Sequence, residues 1–495
     1  MDELAYRMGD FLGIVGLFLK KGKMACIGRV DQRKIKFYNY YRAWAFFACA
    51  FCIYGAMKMY NFKFTDKELL EYMVSLRRQF HKYPETGWNE YRTSAVIAEI
   101  MENLGYKIIY GCDFLDEESR MGIEKSGDYH LLLKGAEETG ADEKYLKNIK
   151  ENFTGICAVK KFSDSGKRLV LRADIDALPV EEAEKEGHFP FDKGFASCNK
   201  GISHACGHDG HMAAAIGCAK ALEKIKNNIE GEIVFLFQPA EEGCRGGLAV
   251  ANGSFINKAD YFLSGHIGIG LKKTGIVSAS STGFLSTSKM DVYFKGKSAH
   301  AANAPQEGRN AVLSAAAFVL AANSIPRHSD GNSFINTGII HGGTGRNIVA
   351  DSAVVCLETR GQTAEINEYM KNAVIKAAEG CGAVYGTESK IVMQGSAMGC
   401  LCDNKMVETA FKAAEEGGFE AVKEAVFGAS EDAVNIMGKI QKNGGKCTYM
   451  MFGSNLKAPH HSSEFDFDEK TIGIMAECYC RAIEKLMCKN KEEKA

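Results

Sequence analysis

Proline is scarce in this chain, seven residues in 495. With 46% hydrophobic and 25% charged residues, the composition is that of an ordinary globular protein. No repeat or low-complexity tract interrupts it before the Lys/Glu-rich tail at 489–494. Charge of one sign is not in excess either. Lys and Arg number 61 against 62 Asp and Glu, giving a net charge of −1 and a pI near 6.9. That balance excludes a global field for nucleic acid or an anionic membrane. Paired CxxC motifs of the zinc-ribbon kind are missing, and the 17 cysteines are scattered and odd in number. A reducing cytoplasm with buried free thiols fits them better than a disulfide scaffold. Apolar runs of spanning length are missing too. "AWAFFACAFCIYGAM" (43–57) has fifteen uncharged residues between Arg42 and Lys58, short of the roughly 18 to 20 that a spanning helix needs.

That run belongs to an atypical N-terminal extension, residues 1–62, which holds ten Lys/Arg against four Asp/Glu and a second apolar run, "FLGIVGLFL" (11–19). Neither run leads to a small-residue cleavage site, which argues against a cleaved signal peptide. Three readings stay open: a short membrane anchor through 43–57, a peripheral amphipathic segment, or translated sequence upstream of a start at Met57 or Met59. The last is preferred, and the chain is expected in the cytoplasm.

From Thr65 the pattern becomes conventional, and the length suits two domains. "TDKELLEYMVSLRRQFHKYP" predicts a helix with Thr65 and Glu68 as a capping box and Pro84 as its stop. "NEYRTSAVIAEIMENLGY" predicts a second, ended by Gly105. Residues 111–152 are charged and read as an irregular surface excursion. "KRLVLRADID", "GEIVFLFQPAEE" and "ADYFLSGHIG" then read as strands, interleaved with the helix "GHMAAAIGCAKALEKI". Near-continuous apolar strands among helices predict a mostly parallel, buried sheet. Between 283 and 395 the order changes to strand, helix, strand, strand, helix, strand, the last being "VYGTESKIVMQ" (384–394); this is the ferredoxin-like unit. After it, 402–488 resumes α/β character with "GGKCTYMMFGS". The expected architecture is a discontinuous α/β domain (63–282 and 396–490) with a smaller α+β domain (283–395) inserted.

In open α/β sheets functional groups gather beyond the carboxyl ends of the strands. "RLVLRADIDALP" ends on Asp174 and Asp176, "EIVFLFQPAEE" on Glu241 and Glu242, and "YFLSGHIG" on His266. "CTYMMFGSNLKAPHHSSEF" brings His460 and His461 soon after its strand. "HACGHDGH" (204–211), with three of the chain's twelve histidines, opens a helix and places Cys206 and His208 at its N-terminus. A lone Asp or His at a strand end is usually a cap or a hydrogen-bond partner. Five segments aiming acids, imidazoles and a thiol at one edge point instead to a metal site, with a ligand mix that suits Zn²⁺ or Mn²⁺. The competing reading, Cys206 as a nucleophile activated by the helix terminus and neighbouring histidines, leaves the paired glutamates unexplained.

With these motifs assembled, the chain resembles the M20 metallopeptidase family in its amidohydrolase branch. The resemblance is carried by "RRQFHKYPETGWNE", "LRADIDALPVEE", "HACGHDGHMAAA", "FQPAEEGCRGG", "GHIG", "GKSAHAA", "GGTGRNIVADSA" and "HHSSEFDFDE", in family order from about 65 to 490. Within the branch, "ESRMGI", "FTGICAV", "GFASCNKGISHACGHDGH", "LETRG" and "GASEDAVNIMGKIQKNGG" are similar to the members that act on aminobenzoyl-glutamate.

The resemblance implies Cys206, His208, Glu242, His266 and His461 as ligands of a divalent metal, two ions per site, Mn²⁺ or Zn²⁺. His461 is preferred to His460 because it stands four residues before Phe465, as in the family's H-x-x-x-F pattern. Glu241 is implied as general acid/base and Asp176 as the aspartate that supports the centre, while Asp174 stands where other branches place a histidine. His300 and Asn347, in the inserted domain, are implied to reach the substrate, His300 across a dimer interface, and Arg346 is a candidate to receive a substrate carboxylate. Arg360 is a second candidate for a substrate carboxylate. His204 and His211 read as structural, and His81 has a family counterpart without a derivable role. "GGTGRN" is no phosphate loop, since no GK[ST] follows. The expected activity is metal-dependent hydrolysis of an N-acyl amino acid, first p-aminobenzoyl-glutamate to p-aminobenzoate and glutamate. Hippurate-like, N-acetyl or auxin-type conjugates are the alternative, and a non-catalytic partner subunit is the rival of another class. The expected partners are that small molecule and, through the inserted domain, a second copy or a homologous subunit; no nucleic acid is expected.

Overall fold

The computed structural model describes residues 61–123, 128–256 and 258–489. The expectations for 1–62 therefore fall outside the described residues up to position 60. Among the described residues no helix is long and apolar enough to cross a membrane.

The strands, in chain order, are β1 Lys107–Tyr110, β2 Ile156–Lys161, β3 Arg168–Asp174, β4 Glu232–Gln238, β5 Tyr261–Ile267, β6 Ile276–Ser278, β7 Ser281–Thr282, β8 Ser286–Lys295, β9 Ser333–Gly342, β10 Ser352–Gly361, β11 Glu388–Ala397, β12 Glu420–Val422, β13 Ala425–Val426 and β14 Lys446–Phe452. Eight form one sheet in the order β1-β2-β4-β3-β5-β14-β6-β12. Its centre, β4-β3-β5-β14, is parallel. The apolar runs dictate this, because a strand covered on both faces has no solvent side to mark with polar residues. Val170, Val234, Leu236 and Phe262 pack on one face with the helices Gly247–Asn252 and Ala433–Lys442. Their alternates Leu169, Leu171, Ile233 and Phe235 are equally buried on the other. There the helices Lys67–Lys82, His208–Ala221 and Lys470–Met487 pack together.

β8, β9, β10 and β11 form a second, antiparallel sheet in the order β11-β8-β10-β9. The helices Ala311–Asn323 and Ala364–Tyr385 cover one face of it, over Met290, Val292, Phe294, Val355 and Leu357. The protein is thus an α/β chain whose mostly parallel sheet is interrupted by an inserted ferredoxin-like α+β unit.

Three local expectations change. The first helix is capped by Asp66, whose carboxylate accepts from Leu69 N at 2.9 Å. Thr65 is drawn off instead, its amide donating to Glu477 Oε2 at 2.9 Å and its hydroxyl reaching Gly473 O. Within 111–152, where an irregular excursion was expected, helices run over Tyr129–Glu138 and Glu143–Leu146, and Tyr145, Leu146 and Ile149 are buried. The last strand of the insertion starts later than expected, because the preceding helix continues to Tyr385 before Gly386 turns it at φ 67°.

Candidate metal centre

The parallel strands β3, β4, β5 and β14 end at one edge, and the predicted side chains stand on or just beyond their last residues. β3 ends on Asp174, with Asp176 two residues on. β4 is followed by Pro239 and a tight loop in which Ala240, Gly243 and Cys244 all have positive φ. That loop is gripped by two buried carboxylates. Glu90 accepts from Ala240 N at 2.8 Å, and Asp176 accepts from Glu241 N at 3.0 Å and Glu242 N at 2.9 Å. With both oxygens used this way, Asp176 positions the two glutamates. Its backbone carbonyl also takes His208 Nδ1 at 2.8 Å, which leaves Nε2 of that ring for the site.

Gly207, at φ 89°, caps the helix His208–Ala221 and lets the chain turn between Cys206 and His208. His266, next to the last residue of β5, holds Ile267 O through Nδ1 at 2.9 Å and turns Nε2 to Cys206 Sγ at 3.4 Å. His461, itself at φ 64°, is tied by its amide to Ala205 O at 2.8 Å. Its Nε2 lies 3.6 Å from Glu242 Oε1. His460 faces the other way, its Nε2 on Ile267 O at 3.0 Å.

Cys206, His208 and His266 form one group able to hold an ion; Cys206, Glu242 and His461 form a second, meeting the first at the sulfur. The test of fit is hydrogen bonding. His208 Nε2 and Glu242 Oε1 are buried without a hydrogen-bond partner, 4.0 Å apart. Buried polar atoms are rarely left orphaned, and an imidazole nitrogen and a carboxylate oxygen beside a thiol and two further imidazoles make a donor set for a divalent ion.

The electrostatics agree. Burial and the carboxylates of Glu431, Glu242 and Asp432 push Glu241 well above the usual carboxylate range. Burial and Asp176 push Glu242 up to about 7, against the opposing pull of His208. Burial works against charge on His208, yet Asp174 and its other neighbours hold it well above the imidazole range. A pocket that draws a proton so strongly is one where a cation is stabilised. Cys206 is pushed up by burial and by Glu242, the opposite of what an activated nucleophile needs.

The remaining predicted residues divide between structural posts beside the centre and the surface of the inserted domain. His211 spends Nδ1 on Asp174 Oδ1 at 2.6 Å and accepts Ile267 N on Nε2 at 3.0 Å, so its ring is structural. His204 is buried with both ring nitrogens unpaired, and burial pulls it down to about 3. His81 bridges Asp209 and Glu182, at 2.8 Å each. His300, Arg346 and Asn347 are exposed on the inserted domain. There Ala301 N donates to Asn347 O at 3.0 Å, and a cavity of about 550 Å³ opens beside Arg346. Among the described residues no hydrogen bond or ion pair joins these three to the cluster. Arg360 is held by Glu358 on its own strand, at 3.0 and 3.2 Å.

Reading the sequence missed the layer beneath. Arg172, fully buried on β3, pairs with Asp174 at 2.9 Å, Glu431 at 3.1 Å and Asp432 at 3.2 Å. Asp432 in turn accepts from Gly246 N and Gly247 N. The available signal was the arginine within "LVLRAD", because a cation in a strand buried on both faces requires buried partners.

The profile of peptidase family M20/M25/M40 matches residues 170–485. The indole-3-acetyl-aspartic acid hydrolase of Enterobacter agglomerans is 39% identical over 414 residues, 83% of this chain and 95% of that one. One subunit of the p-aminobenzoyl-glutamate hydrolase of Escherichia coli K12 is 38% identical over 408 residues, 82% of this chain and 93% of that one. Among solved structures, an aminobenzoyl-glutamate utilization protein from Klebsiella pneumoniae superposes with a TM-score of 0.72 at 31% identity, covering 85% of this chain and 96% of that one. A dinuclear metal-binding M20 peptidase from Bacillus subtilis shares the fold at a TM-score of 0.59 and 22% identity, covering 85% of this chain and 99% of that one. The chain belongs to peptidase family M20/M25/M40 and is a metal-dependent amidohydrolase.

Proposed function

We propose that the chain cleaves the amide bond of an N-acyl amino acid, p-aminobenzoyl-glutamate first, with Cys206, His208, Glu242, His266 and His461 holding two divalent ions, Mn²⁺ or Zn²⁺. The observation that carries the reading is the pair of adjacent glutamates held by one aspartate: Glu242 turns an orphaned oxygen toward His208 and His461, while Glu241 faces Glu431 and Asp432. A bound divalent ion supplies a Lewis acid for the carbonyl and makes water more acidic. Glu241, whose elevated proton affinity follows from its buried acidic neighbours, takes the proton of the attacking water and returns it to the leaving nitrogen. Asp176 fixes both backbone amides and so sets the two glutamates side by side, Glu241 Oε2 at 3.9 Å and Glu242 Oε1 at 4.0 Å from His208 Nε2. His300, Asn347 and Arg346 approach the substrate from the inserted domain of a second chain.

That second chain is a copy of this one or a homologous partner, as the E. coli relative, named as one subunit of its hydrolase, suggests. Two features support docking through the insertion: β9 is an edge strand that exposes Phe334, Ile339 and Ile340, and the neighbouring helix exposes Leu313 and Leu320. Aspartate conjugates are kept as substrates because the relative named for one is just as similar. Product analysis on p-aminobenzoyl-glutamate and a panel of N-acyl amino acids tests the reading, after chelation and with Mn²⁺ restored. Release of the free amino acid that is lost on chelation and recovered with metal supports it. Activity that survives chelation and is abolished by alkylation returns the reaction to Cys206, and hydrolysis that appears only when a partner is added makes this chain the non-catalytic member of the pair.

A further inference from the structure

The proposed reaction fixes the amide of its substrate but not the amino-acid half, and a site for that half rests on that reaction. The cations near the centre are mostly committed. Arg360 is held by Glu358, Arg245 donates to Glu242 O at 2.7 Å and Gly122 O at 3.3 Å, and Arg172 is sealed among three acids. Lys289 on β8 differs: it is partly buried and its side chain makes no hydrogen bond or ion pair among the described residues. Its cross-strand neighbour on β10, Glu358, is turned to Arg360 instead.

The direction of Lys289 follows from the sheet. It stands opposite Gly395 on β11, and residues directly opposite in an antiparallel pair project from the same face. A Cβ at Gly395 would run into Gly243 O at 2.0 Å, so that face looks onto the loop that carries Glu241 and Glu242. Ser396 N fixes the approach by donating to Cys244 O at 2.9 Å. The helices cover the opposite face, through Met290 and Val292.

We infer that Lys289 binds a carboxylate of the amino-acid half of the substrate and so selects N-acyl amino acids over neutral amides. A partly desolvated ammonium with no carboxylate in ion-pair contact lacks what such a ligand brings, and a charge-assisted hydrogen bond gives the contact its selectivity. Lys289 is here a specificity-determining residue that acts on substrate, with no part in the proton transfers.

The test uses p-aminobenzoyl-glutamate and its two monoamides, each with one carboxylate replaced by a carboxamide. Calorimetry measures their binding to the Mn²⁺-loaded Glu241→Gln protein, with and without Lys289→Met; steady-state kinetics measure Lys289→Met and Lys289→Arg on the otherwise native protein. The expected result is about 10- to 100-fold tighter binding of the diacid than of one monoamide, a preference that Lys289→Met erases. KM for the diacid then rises by a similar factor, kcat stays within about threefold, and Lys289→Arg recovers part of the loss. The inference is overturned if Lys289→Met leaves diacid binding unchanged, if it weakens all three ligands alike, or if the diacid does not bind. Carboxylate-selective binding in a wild type that hydrolyses none of the panel would sink the proposed reaction and leave the assignment of Lys289 standing. Hydrolysis without that selectivity does the reverse.

Discussion

The α/β part and the inserted part of the chain handle charge in opposite ways. In the first, ion pairs reach the interior: Arg77 and Asp209 are fully covered at 2.8 Å, as are Arg172 and Asp174 at 2.9 Å. In the insertion the core is apolar, and pairs such as Arg360–Glu358 and Lys371–Glu368 remain partly open to solvent. The difference is one of task. Directional, desolvated contacts lock side chains in one geometry, which a multi-residue centre needs. Non-directional apolar packing makes a stable platform whose outer surfaces stay available to other molecules.

The contrast is broken most strongly at Glu241. Glu241→Gln should lower kcat by about 10²–10⁴-fold while metal content, measured by mass spectrometry, is unchanged. Next comes the buried layer: Arg172→Met leaves three acids without their cation and should cost about 3–5 kcal/mol in urea unfolding. An equivalent loss in the insertion, Arg360→Met, should cost less than about 1 kcal/mol.

A smaller, pH-dependent effect is expected at His81. Asp209 and Glu182 outweigh burial and lift it to about 9 from 6.5. Because the folded value is the higher one, its contribution is complete below about pH 6.5 and is lost as pH rises through about 9. Thermal melts should therefore fall across that window in the wild type, and His81→Gln should flatten the decline. Glu182, held down to about 2 from 4.5, keeps its full contribution above about pH 4.5 and loses it as pH falls through about 2. The smallest effect on the folded chain belongs to the insertion's surface. Ile340→Lys with Leu320→Glu should change unfolding stability by less than about 0.5 kcal/mol yet shift the assembly toward single chains in sedimentation velocity.

How much could be read in advance follows the same division. β3, β4 and β5 were legible because their apolar runs are nearly unbroken and each is followed at once by acids or a histidine. The same property indicated where Glu242 and His266 would stand. The edge strand β1 and its neighbour β2 went unread, because Lys107, Lys160 and Lys161 dilute their apolar pattern. Arg172 announced that buried partners must exist, but which ones was beyond reach, since Glu431 and Asp432 lie about 260 positions away and only the fold brings them together. Lys289 was hidden for another reason: its orientation depends on the β8–β11 register, which the three lysines of "TSKMDVYFKGK" do not disclose.

The grip on the loop after β4 has a last consequence. Glu90 and Asp176 hold three consecutive amides, those of Ala240, Glu241 and Glu242, so the chain is counted there as well as shaped. Sliding it by one position would seat alanine where the proposed base stands and that base where the proposed ligand stands. The loop has in effect a reading frame: its residues admit exchange one for one, but losing or gaining a single residue shifts the roles of all its later positions.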